Sequence, residues 1–79
     1  MINMRLSEGI KDRQYRIVGI TGGRGARRRL LDLGLTIGVC IKIIVIRSYG
    51  PVLIEVRGTR LALGHGLASK VEVTEITAR

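Results

Sequence analysis

The stretch RRRLLDLGL, residues 27–35, combines a short helix, a helix stop signal and a dense cationic face. Leu30 and Leu33 are three residues apart, so a helix would place both on one face. Gly34 follows at the position where a helix C-terminus favours a residue that tolerates positive φ. The pattern predicts one helix, roughly over residues 26–33, that ends in a glycine.

Strand-forming sequence surrounds this helix on both sides. The β-branched run VCIKIIVI, residues 39–46, is typical of a strand. Three glycines in positions 22–25 predict a loop before the helix, and residues 64–69 predict one irregular or 3₁₀ turn. The predicted strands are residues 15–20, 39–47, 52–56, 60–63 and 71–76. Five short strands joined by glycine turns predict a mainly β fold, a small five-stranded barrel with one short α-helix.

The core of such a barrel must be aliphatic, because the chain has no Phe or Trp and only two Tyr residues. Leu6 is expected to dock the N-terminal segment onto that core. Cys40, at the start of an apolar strand, is expected to pack as a small hydrophobe. The side chains that we expect to be largely buried are Val18, Ile20, Leu30, Leu33, Ile41, Ile43, Ile54, Val56, Leu61 and Val73.

The length of 79 residues predicts a single domain over residues 1–79, and the net charge of +8 is its strongest compositional bias. A basic balance favours acidic partners such as nucleic acid, anionic lipid or an acidic protein surface. The alternative explanation is that the net positive charge only keeps the protein soluble. The distribution is uneven, since four of the 14 basic residues lie within residues 24–29.

The sequence has no pattern that predicts an oxidising compartment, a signal peptide or a membrane span. A single cysteine excludes an internal disulfide, so an oxidising compartment gains no support. Residues 1–13 are charged and have no apolar block, which is not the pattern of a signal peptide. No apolar run approaches the ~20 residues that span a bilayer. We therefore expect a cytoplasmic protein without membrane insertion.

The residue inventory argues against catalysis. The one cysteine, Cys40, and the one histidine, His65, are far apart in the chain, and no third residue type suggests an orienting partner. Zinc or ferrous sites need three or more ligands at suitable spacing, so we predict no metal site and no cofactor. The chain has no Gly-Lys pair, which excludes a Walker loop. The sequence does not predict an enzyme.

The arginine cluster lies at the unfavourable end of the predicted helix. Cations near a helix N-terminus oppose the helix dipole at a cost of roughly 0.3–1 kcal/mol each, which Asp32 can partly relieve through Arg28 and Arg29. The glycine loop before the helix could bind an anion through its backbone N–H groups. Alternatively, the glycines only provide the φ angles that the loop needs. We predict a partner-binding surface here, with a solvated charged face as the alternative. Its residues are Gly22, Gly23, Arg24, Arg27, Arg28 and Arg29.

Several segments, in this order, resemble the FeoA family, ferrous iron transport protein A. They are IVGI at 17–20, GG at 22–23, RRLLDLGL at 28–35, GPV at 50–52, GTRLALG at 58–64 and VEV at 71–73. The similarity covers nearly the whole chain from Leu6, and the block that contains DLGL is its most specific part. Ile37 stands where the family often has Pro, and Asp12 and Tyr15 stand where it often has Gly, which affects turn rigidity.

The resemblance implies an SH3-like barrel that acts as a cytoplasmic accessory to FeoB, the GTPase-bearing ferrous iron permease. Family members are often labelled as binding transition metal ions, although this sequence offers no ligand set. The same domain type resembles the C-terminal module of iron-dependent repressors, whose winged-helix and metal-binding domains are missing from this sequence. An apolar area on one barrel face would serve either a weak homo-oligomer or the permease contact.

A nucleic-acid-binding small basic barrel is the alternative function. Single-strand binders need aromatic stacking platforms, and two tyrosines make a poor one. A duplex binder needs an element that reads a groove, and the single predicted helix is short for that purpose. Both observations weigh against nucleic acid as a partner.

Overall fold

Residues 3–76, which the computed structural model describes, form a six-stranded antiparallel sheet with two short helices and one 3₁₀ turn. The strands are β1 (Asn3–Arg5), β2 (Gln14–Ile20), β3 (Cys40–Val45), β4 (Val52–Val56), β5 (Thr59–Leu63) and β6 (Val71–Glu75). The helices are α1 (Arg24–Asp32) and α2 (His65–Ala68), and the 3₁₀ turn is Leu6–Glu8. The strand order is β1-β6-β2-β3-β4-β5. The mainly β fold class is confirmed.

The strand count differs from the prediction of five. The additional strand is β1, whose residues Asn3 and Met4 pair with Thr74 and Val73 of β6. Its three residues are too few to show an alternation of apolar and polar side chains that would predict a strand. Their extended conformation depends on pairing with the neighbouring strand. Within the described chain β1 and β5 are the two edges of the sheet, so the strand order is open where the sequence predicted a closed barrel.

The core is aliphatic apart from one tyrosine. Its buried side chains are Leu6, Tyr15, Ile17, Leu30, Leu35, Ile41, Ile43, Val52, Ile54, Val56, Leu63, Ala68, Val71 and Val73. Six of the ten predicted core residues are therefore correct, and Leu6 docks as expected. Ile20 and Leu61 are half-buried and pack against the margin of the core, Val18 is half-buried, and Leu33 is exposed.

A β-bulge explains the errors in β2. Ile17 pairs with Val73 and Gly19 with Glu72, so Val18 is an extra residue that interrupts the alternation of faces. The buried face of β2 is consequently that of Tyr15 and Ile17. The Tyr15 hydroxyl, although buried, accepts a hydrogen bond from the Ile10 N–H at 2.9 Å. This bond satisfies the polar end of an otherwise apolar core residue.

The end of α1 explains why Leu33 is exposed. The Gly34 N–H donates to the Leu31 carbonyl at 2.9 Å, and the Leu35 N–H donates to the Leu30 carbonyl at 2.8 Å. This pattern is a Schellman motif, and Gly34 adopts the positive φ of +82° that it requires. The chain reverses there, so Leu35 enters the core beside Leu30, and Leu33 caps the helix at the surface.

Two further expectations are wrong. The turn predicted at residues 64–69 contains the short α-helix α2. Cys40 does not pack in the core, because β3 buries Ile41 and Ile43, and the intervening alternation turns Cys40 outward opposite Arg16 of β2. Apolar neighbours in the sequence do not determine on which face of the strand the Cys40 thiol lies.

Candidate protein-binding surface

Arg27, Arg28 and Arg29 lie on α1 as predicted, and Arg24, which was predicted in the preceding loop, lies on it too. The helix begins at Arg24, two residues earlier than expected, because its first turn tolerates Gly25. Arg24 and Arg28 are consequently one helical turn apart and share a face. All four arginines of the cluster are exposed. We call Gly22, Gly23, Arg24, Arg27, Arg28 and Arg29 the α1 surface.

Arg27 has a structural contact that the other three arginines lack in the described chain. Its Nη2 donates a hydrogen bond to the Ile20 carbonyl at 3.2 Å, which ties α1 to the end of β2. Arg27 therefore helps to hold the helix in place, whereas Arg24, Arg28 and Arg29 are exposed and form no ion pair within residues 3–76.

The electrostatics of α1 are unbalanced. The N-cap residue Gly23 offers no side chain to the helix N-terminus, and the first turn has no acidic residue. The one ion pair found among residues 3–76 joins Arg13 and Glu75 at 3.2 Å, away from this helix. The expected ion pairs of Asp32 with Arg28 or Arg29 are therefore absent from the described structure.

Arg24, the first residue of the helix, opposes the helix dipole, whereas Arg29 lies in the last turn, where the dipole favours a cation. The expectation that the whole cluster lies at the unfavourable end of the helix is therefore wrong, because the helix begins earlier than predicted. Arg24 and Arg28, one turn apart, still repel each other, a state that an anionic partner would stabilise.

The loop before α1 brings in a further cation that sequence inspection missed. The Thr21 N–H donates to the Lys70 carbonyl at 2.8 Å, and a Cβ built on Gly22 would lie 3.0 Å from Lys70 Cδ. Gly22 also has φ +97°, so this position needs glycine for its backbone and for its close neighbour. No local pattern could reveal Lys70, because it reaches the loop only through the pairing of β6 with β2.

Cys40 and His65, the residues considered for catalysis, belong to different elements. Cys40 opens β3 and lines a shallow groove of about 200 Å³ together with Lys42, Glu55 and Arg57. His65 opens α2, and its ring centroid is 5.9 Å from that of Tyr49. In the part of the chain that is described, no group of three His, Cys, Asp or Glu residues is placed to hold a metal ion.

No helix within residues 3–76 has the length and apolar character needed to cross a bilayer. The longest, α1, has nine residues and four arginines.

Comparison with known proteins identifies the family. The sequence model of the FeoA domain matches residues 4–75, which is most of the chain. The chain belongs to the FeoA family. A curated FeoA relative, "Putative Fe(2+) transport protein A" of Methanocaldococcus jannaschii, is 41% identical over 56 residues, covering 71% of this chain and 67% of the relative.

Solved structures confirm the SH3-like FeoA fold. The crystal structure of an iron uptake regulatory protein, FeoA, superposes with a TM-score of 0.90 at 37% identity, covering 95% of this chain and all of that one. A manganese-dependent transcriptional repressor superposes with a TM-score of 0.87 at 13% identity, covering 94% of this chain and 42% of the repressor. The second likeness shows a shared fold alone.

Proposed function

We propose that this FeoA-family protein is a non-catalytic accessory of ferrous iron uptake in the cytoplasm. It binds the cytoplasmic region of a FeoB-type GTPase permease and adjusts transport through that contact. The support comes from the family assignment and from relatives whose names refer to Fe²⁺ transport and iron uptake regulation. The proposal needs no catalytic residue, metal ligand or cofactor in this chain.

The α1 surface is the proposed contact with the permease. The observation that supports it is the set of guanidinium groups of Arg24, Arg28 and Arg29, which have no carboxylate within ion-pair distance in the described structure. Lys70 adds its charge beside Gly22. Like charges held together on one short helix favour association with an acidic protein surface and accelerate its encounter.

Charge reversal tests the contact. The double variant Arg24→Glu/Arg28→Glu leaves the structural Arg27 in place. Lys11→Glu/Arg47→Glu, outside the α1 surface, makes the same change in net charge and is the matched control. We expect the first variant to bind the purified cytoplasmic region of the permease at least about tenfold more weakly and to lower cellular iron uptake, while the control stays near the parent. Affinity of the parent should fall with added salt, because exposed charges are screened.

Two outcomes would contradict the proposal. Unchanged binding and uptake in a folded Arg24→Glu/Arg28→Glu protein would reduce the cluster to a solubility feature. Tight binding of random-sequence RNA that disappears in the same variant would favour the nucleic-acid-binding alternative.

A further inference from the structure

The strand β5 (Thr59–Leu63) is an open edge of the sheet. It pairs with β4 on one side, and no other strand within residues 3–76 pairs with its other side. Its five residues keep an unbroken register with β4 and include no proline. Thr59, Arg60 and Ala62 are exposed, so the edge is not covered by another part of the described chain. Unpaired backbone groups at such an edge accept further strands, and on β5 only the charge of Arg60 guards against this.

The turn before β5 shows which backbone groups face the open edge. The φ angles of Arg57 and Gly58 are +52° and +78°, as in a two-residue type I′ turn, so Thr59 forms the closing hydrogen-bonded pair with the last residue of β4. From Thr59 onward, every second residue of β5 bonds to β4 through its backbone. The N–H and C=O groups of the residues between, Arg60 and Ala62, therefore point away from β4. No turn or loop within residues 3–76 pairs with these four groups.

The outer face of the sheet is positively charged next to this edge. The register aligns Lys42, Glu55 and Arg60 across β3, β4 and β5, and directly opposed residues lie on the same face. Arg57, exposed in the turn, adds a further cation. A strand added to β5 would therefore meet three cations and one carboxylate.

The start of β5 also lies beside α1. A Cβ built on Gly34 would lie 3.9 Å from Arg57 Nη1, so the Arg57 guanidinium reaches the C-terminal end of the helix. Because α1 has nine residues and is about 14 Å long, one partner can contact both the α1 surface and the edge of β5.

We propose that β5 accepts an extended acidic strand of a partner protein, which adds a seventh strand to the sheet. The backbone of this strand pairs with the N–H and C=O groups of Arg60 and Ala62, and an Asp or Glu lies opposite Arg60. Charge complementarity selects this occupant over a second copy. Pairing of β5 with another β5 would place the two Arg60 side chains diagonally across the pair and join two chains of net charge +8. The inference rests on the proposed function in one respect, that the permease supplies the strand.

Amide hydrogen exchange of the full chain, resolved by NMR, tests the proposal. The probe is a synthetic seven-residue peptide in which Val alternates with Glu, at millimolar concentration, and the same peptide with Lys in place of Glu is its control. We expect the acidic peptide to slow exchange of the Arg60 and Ala62 amides at least about threefold, which corresponds to an edge occupied about two-thirds of the time. The Lys peptide should leave both amides unchanged, and Arg60→Glu should reverse the preference.

A proline at the edge separates backbone pairing from charge attraction. Ala62→Pro removes an N–H that β4 does not use, whereas Ala62→Val keeps it and is the matched control. We expect the acidic peptide to protect the Arg60 amide in Ala62→Val and not in Ala62→Pro. Circular dichroism checks that both variants are folded. If Ala62→Pro does not fold, the exchange rates of the parent and of Arg60→Glu decide the matter.

The outcomes separate this inference from the function proposed above. The purified cytoplasmic region of the permease is the second probe, and protection of the Arg60 and Ala62 amides by it supports both proposals. Protection by the peptide alone would keep the inference and overturn the permease as the source of the strand. Absence of protection by both probes, or changes confined to the amides of α1, would overturn the inference and leave the α1 contact standing.

Three further results would count against particular parts of the inference. Equal protection by the Lys peptide would overturn the acidic character of the strand. Undiminished protection in a folded Ala62→Pro protein would overturn backbone pairing at the edge. Protection that rises with protein concentration when no probe is present would identify a second copy as the occupant.

Discussion

Single residues within one short stretch have very different roles. Leu30, Leu31 and Leu33 follow one another in RLLDLGL, yet Leu30 is fully buried, Leu31 is mostly exposed, and Leu33 caps the helix at the surface. Leu30 is the one α1 side chain that reaches the core, so the attachment of the helix to the sheet depends on it.

Leu30→Ala is expected to lower the free energy of unfolding by roughly 2–5 kcal/mol, because it removes a fully buried side chain and leaves a cavity. Leu31→Ala is the matched control and should change stability by less than about 0.5 kcal/mol. Urea denaturation followed by circular dichroism measures both. Equal destabilisation by the two substitutions would show that the burial of Leu30 does not hold α1.

Cys40 shows how a residue's neighbours in sequence differ from its neighbours in space. It lies in the run VCIKIIVI, but its strand position puts it opposite Arg16, on the outer face. The adjacent Ile41 occupies the core instead. A one-residue difference in position therefore decides between the two faces of a strand.

At the scale of elements, α1 is specified most strongly at its C-terminal end. The Schellman motif satisfies the carbonyls of Leu30 and Leu31, and Gly34 supplies the left-handed conformation. At the other end Gly23 provides no side-chain cap, and Gly25 lies within the first turn. The helix is therefore well terminated and poorly initiated.

A pair of glycine substitutions tests this asymmetry. Gly34→Ala should destabilise the protein by about 1–2 kcal/mol, because φ is +82° at this position. Gly25→Ala, at a helical position where a Cβ meets nothing within 4 Å, should be neutral or stabilise by up to about 1 kcal/mol. Thermal unfolding of the two variants beside the parent measures the difference. A lower Tm for Gly25→Ala than for Gly34→Ala would contradict our description of the helix ends.

At the scale of the whole molecule, the net charge of +8 is spread unevenly over a small mainly β protein. Local sequence placed Arg27, Arg28 and Arg29 on one helix, and the structure extends that helix to Arg24. Tertiary structure brings Lys70 and Arg57 near its two ends. The result is a concentration of positive charge on α1 and near both of its ends.

Metal binding is the remaining test at this scale. The isolated protein is expected to bind Fe²⁺ or Zn²⁺ no more tightly than exposed surface side chains do, because Cys40 and His65 belong to different elements and the described residues form no ligand cluster. Anaerobic titration calorimetry measures this. Submicromolar, stoichiometric binding that is lost in His65→Ala or Cys40→Ser would refute the expectation.

Much of the fold follows from local pattern. Residues 52–56 were predicted to form a strand with Ile54 and Val56 buried, and both are core residues of β4. Sequence spacing assigned Arg27, Arg28 and Arg29 to one helix correctly, whereas it left Arg24 in the preceding loop. The errors occur where a local pattern is interrupted or ambiguous, as at the Val18 bulge in β2.

The sequence by itself determined five of the six strands, the helix α1 and the glycine that ends it, the aliphatic composition of the core and the cationic character of that helix. These features depend on backbone propensity and side-chain chemistry, which act over a few residues. Only the tertiary structure decided that Asn3–Arg5 forms a strand, that Cys40 faces outward and that Lys70 lies beside Gly22. Each of these depends on which distant strand pairs with which and in what register. That choice is made by the packing of the whole core, and no short segment contains it.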